Sequence, residues 1–269
     1  MSEPFADLAD SLAVSEPVAD LADSLAVSEP FADLPDNLAV SEPVADLADR
    51  LARLEAAISR ACDEAGRDRA TVRLLPVSKA HSSQRIEAAI KLGYRQFGEN
   101  RVQELVAKAK VLPSALSWVL IGHLQRNKVG PACAVIDELQ SLDSLALAQT
   151  LQWHLALRSP KRRLVVLIEV NTSGEATKSG LAPDQVLDFT TALKAFPALD
   201  PRGLMTVAHP DPALAEAGFA ELAKLRRQLQ DRDGGGWAEL SMGMTGDFAA
   251  AIRHGSTCIR IGSAIFGPR

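Results

Sequence analysis

Eight short apolar, β-branched runs recur along this chain after residue 71, and helix-like segments separate them. The runs are Val72–Ser78, Arg95–Gly98, Trp118–Ile121, Val135–Leu139, Leu164–Val170, Gly203–Val207, Ala238–Met242 and Cys258–Ile261. The helical segments lie near Gln84–Leu92, Val102–Ala109, Leu145–Ala156, Pro183–Ala195, Pro212–Leu229 and Asp247–His254. The connection Arg126–Cys133 carries a Gly130-Pro131 pair and predicts a short helix at best. Strands that apolar are covered on both faces, and βα alternation makes them parallel. A length of 269 residues suits one closed barrel. The expected fold is therefore α/β, a single (β/α)8 TIM-type barrel. A doubly wound open sheet is the alternative, but no G-x-G-x-x-G turn follows the first run.

The N-terminal region is different. Ser2–Val14, Ser15–Val27, Ser28–Val40 and Ser41–Arg53 are four copies of a 13-residue unit, SEP-[FV]-ADL-x-D-x-LA. In each, Ser stands at an N-cap position and Pro falls in the first turn. A proline every thirteen residues forbids one continuous helix. The expectation is an acidic, mobile extension over 1–40 and a barrel domain over 41–269. A docking arm for a partner is the competing reading of the repeats. The fourth copy continues into an amphipathic helix from about Val44 to Ala65, stopped by Gly66.

Charge follows the same division. The formal net charge is −5, but residues 1–40 hold nine acids and no base. The remainder carries 25 acids against 29 bases. So small an excess suits small anions and argues against a nucleic-acid partner. Cys62, Cys133 and Cys258 are widely spaced, which predicts neither disulfides nor a metal site. No run reaches membrane-spanning length, and the acidic N-terminus is not a secretory signal. A cytoplasmic, soluble protein is expected.

In barrels of this kind chemistry sits at the C-terminal strand ends. Lys79 follows the first run, RLLPVSK. An amine held in apolar surroundings favours its neutral, nucleophilic form. A lysine snorkelling from the rim to water would look the same in sequence. SMGMTGD (Ser241–Asp247) and RIGSAIFG (Arg260–Gly267) are Gly-rich turns after the last two runs. Their backbone N–H groups and hydroxyls could cradle a phosphate, or the glycines could simply make tight turns. Arg260 lies inside an apolar run and needs an acceptor there, either a ligand or a carboxylate such as Glu99 or Asp143. His123 ends the third run and could approach a ligand; His154 reads as a packing or surface residue.

Several blocks resemble one family. They are Val77–Leu105, Trp118–Val129, Ser141–Ala148, Ile168–Leu181, Arg202–Val207 and Leu240–Gly267. Together they are similar to the pyridoxal phosphate homeostasis proteins, related to the barrel domain of alanine racemase. The resemblance covers about residues 44–267. It implies pyridoxal 5'-phosphate (PLP) held as a Schiff base on Lys79, with Asn100 beside the ring. It places Arg260 at the pyridine nitrogen, and Ser241, Gly243, Thr245, Gly262 and Ser263 in the phosphate cradle. Arg101, Val119 and Thr245 depart from the family's usual Tyr, His and Ser, which leaves the roles of positions 101 and 119 open.

The implied role is a carrier or regulator of intracellular PLP, affecting amino-acid and keto-acid balance, with PLP-dependent apo-enzymes as possible recipients and a monomer as the working unit. Catalysis is not expected. An arginine at the pyridine nitrogen keeps that nitrogen unprotonated and weakens the ring as an electron sink. Racemases with this barrel supply a tyrosine from a second domain, for which the chain ending at Arg269 leaves no room. The only tyrosine, Tyr94, precedes the second run, at the other end of the barrel. The alternative is a weakly active PLP-dependent amino-acid racemase. A third reading is an interaction protein that works through its acidic repeats.

Overall fold

The structure is a computed structural model that describes residues 44–175 and 177–267. The first three repeats and the start of the fourth lie outside the described residues. Eight strands form one parallel sheet: β1 (Arg73–Pro76), β2 (Gln96–Glu99), β3 (Ser117–Leu120), β4 (Glu138–Leu142), β5 (Leu164–Glu169), β6 (Leu199–Met205), β7 (Glu239–Ser241) and β8 (Cys258–Ile261). From β2 to β8 each strand pairs with its sequence neighbours, and β1 pairs with β8 in register Arg73 to Cys258. The last gap, between β1 and β2, is bridged by Val77 and Gly98. The barrel is the expected one.

Helices cover the outside. They are α1 (Val44–Glu64), α2 (Ser83–Lys91), α3 (Val102–Val111), α4 (Val129–Cys133), α5 (Leu145–Arg158), α6 (Val186–Ala192), α7 (Pro212–Asp233), α8 (Phe248–Arg253) and α9 (Ser263–Phe266). α1 buries Leu47, Leu51, Leu54 and Ile58 along one stripe and packs on α8 and α9. α7 is capped by Asp211, whose side chain accepts from Ala213 and Leu214 N–H, and ends at Gly234 in the left-handed conformation.

Two strands differ from the sequence expectation. β4 starts at Glu138, because Val135 and Ile136 belong to a turn whose N–H groups donate to Ala132 O. Ile136 is buried without being a strand residue, and its apolarity alone suggested one. β6 starts at Leu199, through Asp200-Pro201-Arg202. The polar, proline-containing start hides the strand, and a register shift at Val166/Leu167 absorbs the proline.

Inside the barrel the two-residue period puts charge where apolar residues are commonest. Arg73 fills the N-terminal end, donating to Gln96 Oε1 (2.8 Å), Glu138 Oε2 (2.7 Å) and Glu239 Oε2 (3.0 Å). Leu75, Val119 and Cys258 form a small apolar layer above it. A polar strand of contacts threads past this layer. Gln140 Nε2 donates to Glu138 Oε1 (2.6 Å), and Ser241 Oγ donates to Gln140 Oε1 (2.6 Å). Gln140 and Ser241 are fully buried.

Candidate functional site at the C-terminal mouth

The inward period of β1 runs Arg73, Leu75, Val77 and reaches Lys79, in the turn beyond the strand. Lys79 is half-buried, flanked by buried Ser78 and by Ala80, whose φ is +61°. A residue with a Cβ in that region is strained by roughly 1–3 kcal/mol. Asn100 follows β2, half-buried, at a point where Gly122 comes so close that a Cβ on it would lie 2.2 Å from Asn100 O.

Arg260, on β8, is buried inside the barrel. Its Nη1 donates to Ser241 Oγ (2.8 Å) and its Nη2 to Thr206 O (2.8 Å). Neither bond uses Nε–H. The carboxylate partners considered from sequence are placed otherwise: Glu99 points outward to α3, and Asp143 Oδ2 lies 3.2 Å from His123 Nδ1. A hydroxyl and a carbonyl satisfy the guanidinium instead. Ser241 thus spends its own hydroxyl on Gln140 and Arg260, one step beneath the glycine turns.

The two turns meet above it. Gly243, at φ +98°, has room for no side chain, since a Cβ would lie 2.7 Å from that of Ala251. Its carbonyl accepts from Arg260 N (2.9 Å). Gly262 passes 3.1 Å, measured from an added Cβ, under Val77 O. Thr245 and Ser263 are exposed, with their hydroxyls 3.3 Å apart. The Asp247 side chain takes the Met244 N–H, which closes the first turn. The structure therefore gathers Lys79, Asn100, Arg260 and both turns at one end of the barrel. His123 is exposed at the same rim. His154 packs against Gly130 and Trp153, away from it, and Tyr94 sits at the N-terminal end within 3.4 Å of Glu55.

Sequence reasoning missed two groups. Glu169 ends β5 facing inward, with Oε2 buried and unpartnered. Burial pushes its carboxyl up to about 7; Asp143 adds to the shift and Arg260 opposes it. Its signal was an acid inside the apolar run LVVLIEV. The second is Lys108 on α3, buried with Glu99, where the helical stripe Val102, Leu105, Lys108 calls for an apolar residue. Burial raises the Glu99 carboxyl against the pull of Lys108.

A cavity of about 160 Å³ lies beside the mouth, lined by Glu169, Val170, Asn171, Lys178, Ser179 and Val207. A larger one of about 620 Å³ lies at the opposite end, near Phe196, Pro201 and Trp237, and holds none of the strand-end residues above. Among the described residues no group of three His, Cys, Asp or Glu could hold a metal. Among them, too, no helix is long and apolar enough to cross a membrane.

The family model for the alanine racemase N-terminal domain matches residues 50–269. The chain belongs to this family. Within the alanine racemase N-terminal domain family it is 40% identical to the pyridoxal phosphate homeostasis protein of Vibrio cholerae over 226 residues, covering 80% of this chain and 93% of that one. It is 41% identical to the protein of the same name from Pseudomonas aeruginosa over 218 residues, covering 81% and 93%. PipY of Synechococcus elongatus, solved with PLP bound, superposes with a TM-score of 0.71 at 33% identity, covering 82% of this chain and all of that one. The matched residues 50–269 contain all eight strands of the barrel.

Proposed function

We propose that this protein binds PLP at the C-terminal mouth of its barrel and serves PLP homeostasis in the cytoplasm, as a carrier or regulator rather than a catalyst. The observation that carries the reading is the convergence of Lys79, Arg260 and the two glycine turns at one end of the barrel, in a family whose named relatives are PLP homeostasis proteins. When bound, PLP supplies an aldehyde, a ring nitrogen and a dianionic phosphate. Lys79 supplies the amine for the aldehyde. Asn100 would flank the ring. Arg260, whose bonds to Ser241 and Thr206 use Nη1 and Nη2, would have Nε–H to offer the ring nitrogen. The turns Ser241–Asp247 and Arg260–Gly267 supply backbone N–H groups, with the Thr245 and Ser263 hydroxyls, to the phosphate. Glycine at 243 and 262 lets the two turns pack against Ala251 and Val77 O, where a Cβ would collide.

The carrier reading rests on proton placement. An arginine donor at the ring nitrogen prevents that nitrogen from taking a proton, so carbanion chemistry is poorly supported. Racemisation further needs an acid or base on the opposite face of the substrate. Tyr94, the only tyrosine, is at the wrong end of the barrel. We infer one barrel as the working unit, with PLP-dependent apo-enzymes as recipients, and residues 1–40 as an appendage to it.

Purified protein incubated with PLP should absorb in the visible, and borohydride should fix a pyridoxyl group on Lys79. Lys79→Ala should lose both, with stability changed by less than about 1 kcal/mol, as for a partly exposed side chain. A pyridoxyl group on another lysine rejects the assignment. Steady turnover of D- or L-alanine by the pure protein rejects the carrier reading in favour of the racemase.

A further inference from the structure

Lys79 lies between two residues that are each held from outside. On one side, Lys108 Nζ donates to Ser78 O (2.7 Å), and Ser78 Oγ donates to Glu99 Oε1 (2.6 Å). On the other, Ala80 N–H donates to Glu104 Oε1 (2.6 Å). Lys108 joins the two carboxylates, donating to Glu99 Oε1 and Glu104 Oε1, each at 2.6 Å. One ammonium and two carboxylates, from β2 and α3, therefore grip the chain at 78 and 80, on either side of Lys79.

This arrangement is costly if its purpose is only to pack α3 on the barrel. Glu99 is fully buried and Lys108 is 6% exposed. Buried ion pairs seldom stabilise more than apolar residues of the same volume would. Packing also gives no reason for the network to reach a main-chain carbonyl and a main-chain N–H one residue apart. The turn it grips is strained: among the described residues only Ala80 and Trp237 take positive φ without being glycine. A strained residue persists where its surroundings over-determine it, and such residues collect at functional sites. Here the strained residue follows the lysine that faces the mouth. Lys108 itself has three acceptors for its three N–H groups, so it is a filled ammonium rather than a second reactive amine.

We propose that Lys108, Glu99 and Glu104 are positioning residues for Lys79: they clamp the Ser78–Ala80 turn in its left-handed bend and so hold the Lys79 amine where a carbonyl ligand meets it. The inference rests on the reading of Lys79 as the lysine that binds PLP.

The test uses the full chain with PLP as probe. PLP affinity is read from the visible band, and the modified lysine is mapped after borohydride reduction. Lys108→Met and Glu104→Ala should each weaken PLP at least tenfold, with the label still on Lys79. The Glu104 side chain is 21% exposed, so Glu104→Ala serves if Lys108→Met fails to fold. Ala80→Gly supplies the distinguishing readout. Glycine takes positive φ without help. Added to Glu104→Ala, it should restore the affinity to within threefold of the unaltered protein. General damage to the barrel would not be repaired this way, so absence of rescue overturns the clamp. Affinity within twofold of the unaltered protein in a folded Glu104→Ala variant overturns it too. Failure to label Lys79 in the unaltered protein sinks the PLP reading and the clamp together. Labelling at Lys79 with unchanged variants sinks the clamp alone.

Discussion

Arg260 and Ser241 meet side by side from the adjacent strands β8 and β7, 2.8 Å from guanidinium to hydroxyl, with no carboxylate between them. The hydroxyl is fixed from behind, since it donates its proton to Gln140. It therefore presents only a lone pair to Arg260, and the guanidinium orientation is set before any ligand arrives.

That relationship makes Ser241→Ala informative. A hydrogen bond to a charged group is worth about 1.5–3 kcal/mol. Arg260 keeps Thr206 O as its second acceptor, so the guanidinium should stay inside but turn more freely. PLP affinity should fall by roughly tenfold to a hundredfold on that energy. Titration of the visible band checks it; unchanged affinity would mean that Thr206 O alone orients Arg260.

Glu169 predicts a pH dependence of stability. Its carboxyl stands at about 7 in the barrel against 4.5 when free of burial. Between these values the folded chain keeps a proton that the unfolded chain has released. The stabilising contribution is complete below 4.5, declines as pH rises, and is gone above about 7. The loss is on the order of 3 kcal/mol at about 1.4 kcal/mol per pH unit. Glu169→Gln removes the titration, so its stability advantage over the unaltered chain should appear between pH 5 and pH 8. Urea unfolding at several pH values measures this, and parallel profiles for the two proteins would refute the assignment.

Much of the barrel was legible because most strands carry a buried apolar run and the longer helices a one-sided apolar stripe. β8 was read to the residue, since Cys258–Ile261 is bounded by a polar turn and a glycine. β4 was displaced because Val135 and Ile136 satisfy the same apolar signal from a turn. The site was less legible where function breaks the pattern. Lys79 and Arg260 stood out as cations in apolar runs. Glu169 broke the pattern as visibly, yet an acid near a phosphate ligand has no obvious place in the chemistry that the sequence suggested. Lys108 is legible only from the helical stripe it interrupts, and its partners Ser78 and Glu104 are brought to it by tertiary packing. No local pattern encodes the Gln140–Ser241 contact, which joins residues 101 positions apart.

Deleting residues 2–40 should leave PLP affinity within about twofold, a difference near 0.4 kcal/mol. The reason is the placement of the site. Every residue assigned to PLP lies between Lys79 and Gly267, and the described helix that precedes the barrel begins at Val44. Equilibrium titration of the truncated chain tests this. Loss of the visible band on truncation would make the acidic repeats part of the binding machinery.

Arg73→Ala should separate stability from ligand binding. Arg73 makes two bonds to Glu138, whose side chain is 7% exposed, and one to Glu239. Removing it leaves a buried carboxylate with Gln140 as its remaining donor. Breaking a buried pair from one side costs about 3–5 kcal/mol, and partial exposure of Arg73 places this case at the lower end. The effect should weaken along the contacts toward the mouth. Gln140 is held at both ends, by Glu138 and by Ser241, and Glu138 stays in place on β4. Arg260 should therefore keep its orientation. The expected outcome is a large fall in unfolding free energy with PLP affinity changed less than about threefold, or under 1 kcal/mol. Equal losses in both measurements would show that the floor of the barrel and its mouth move as one unit.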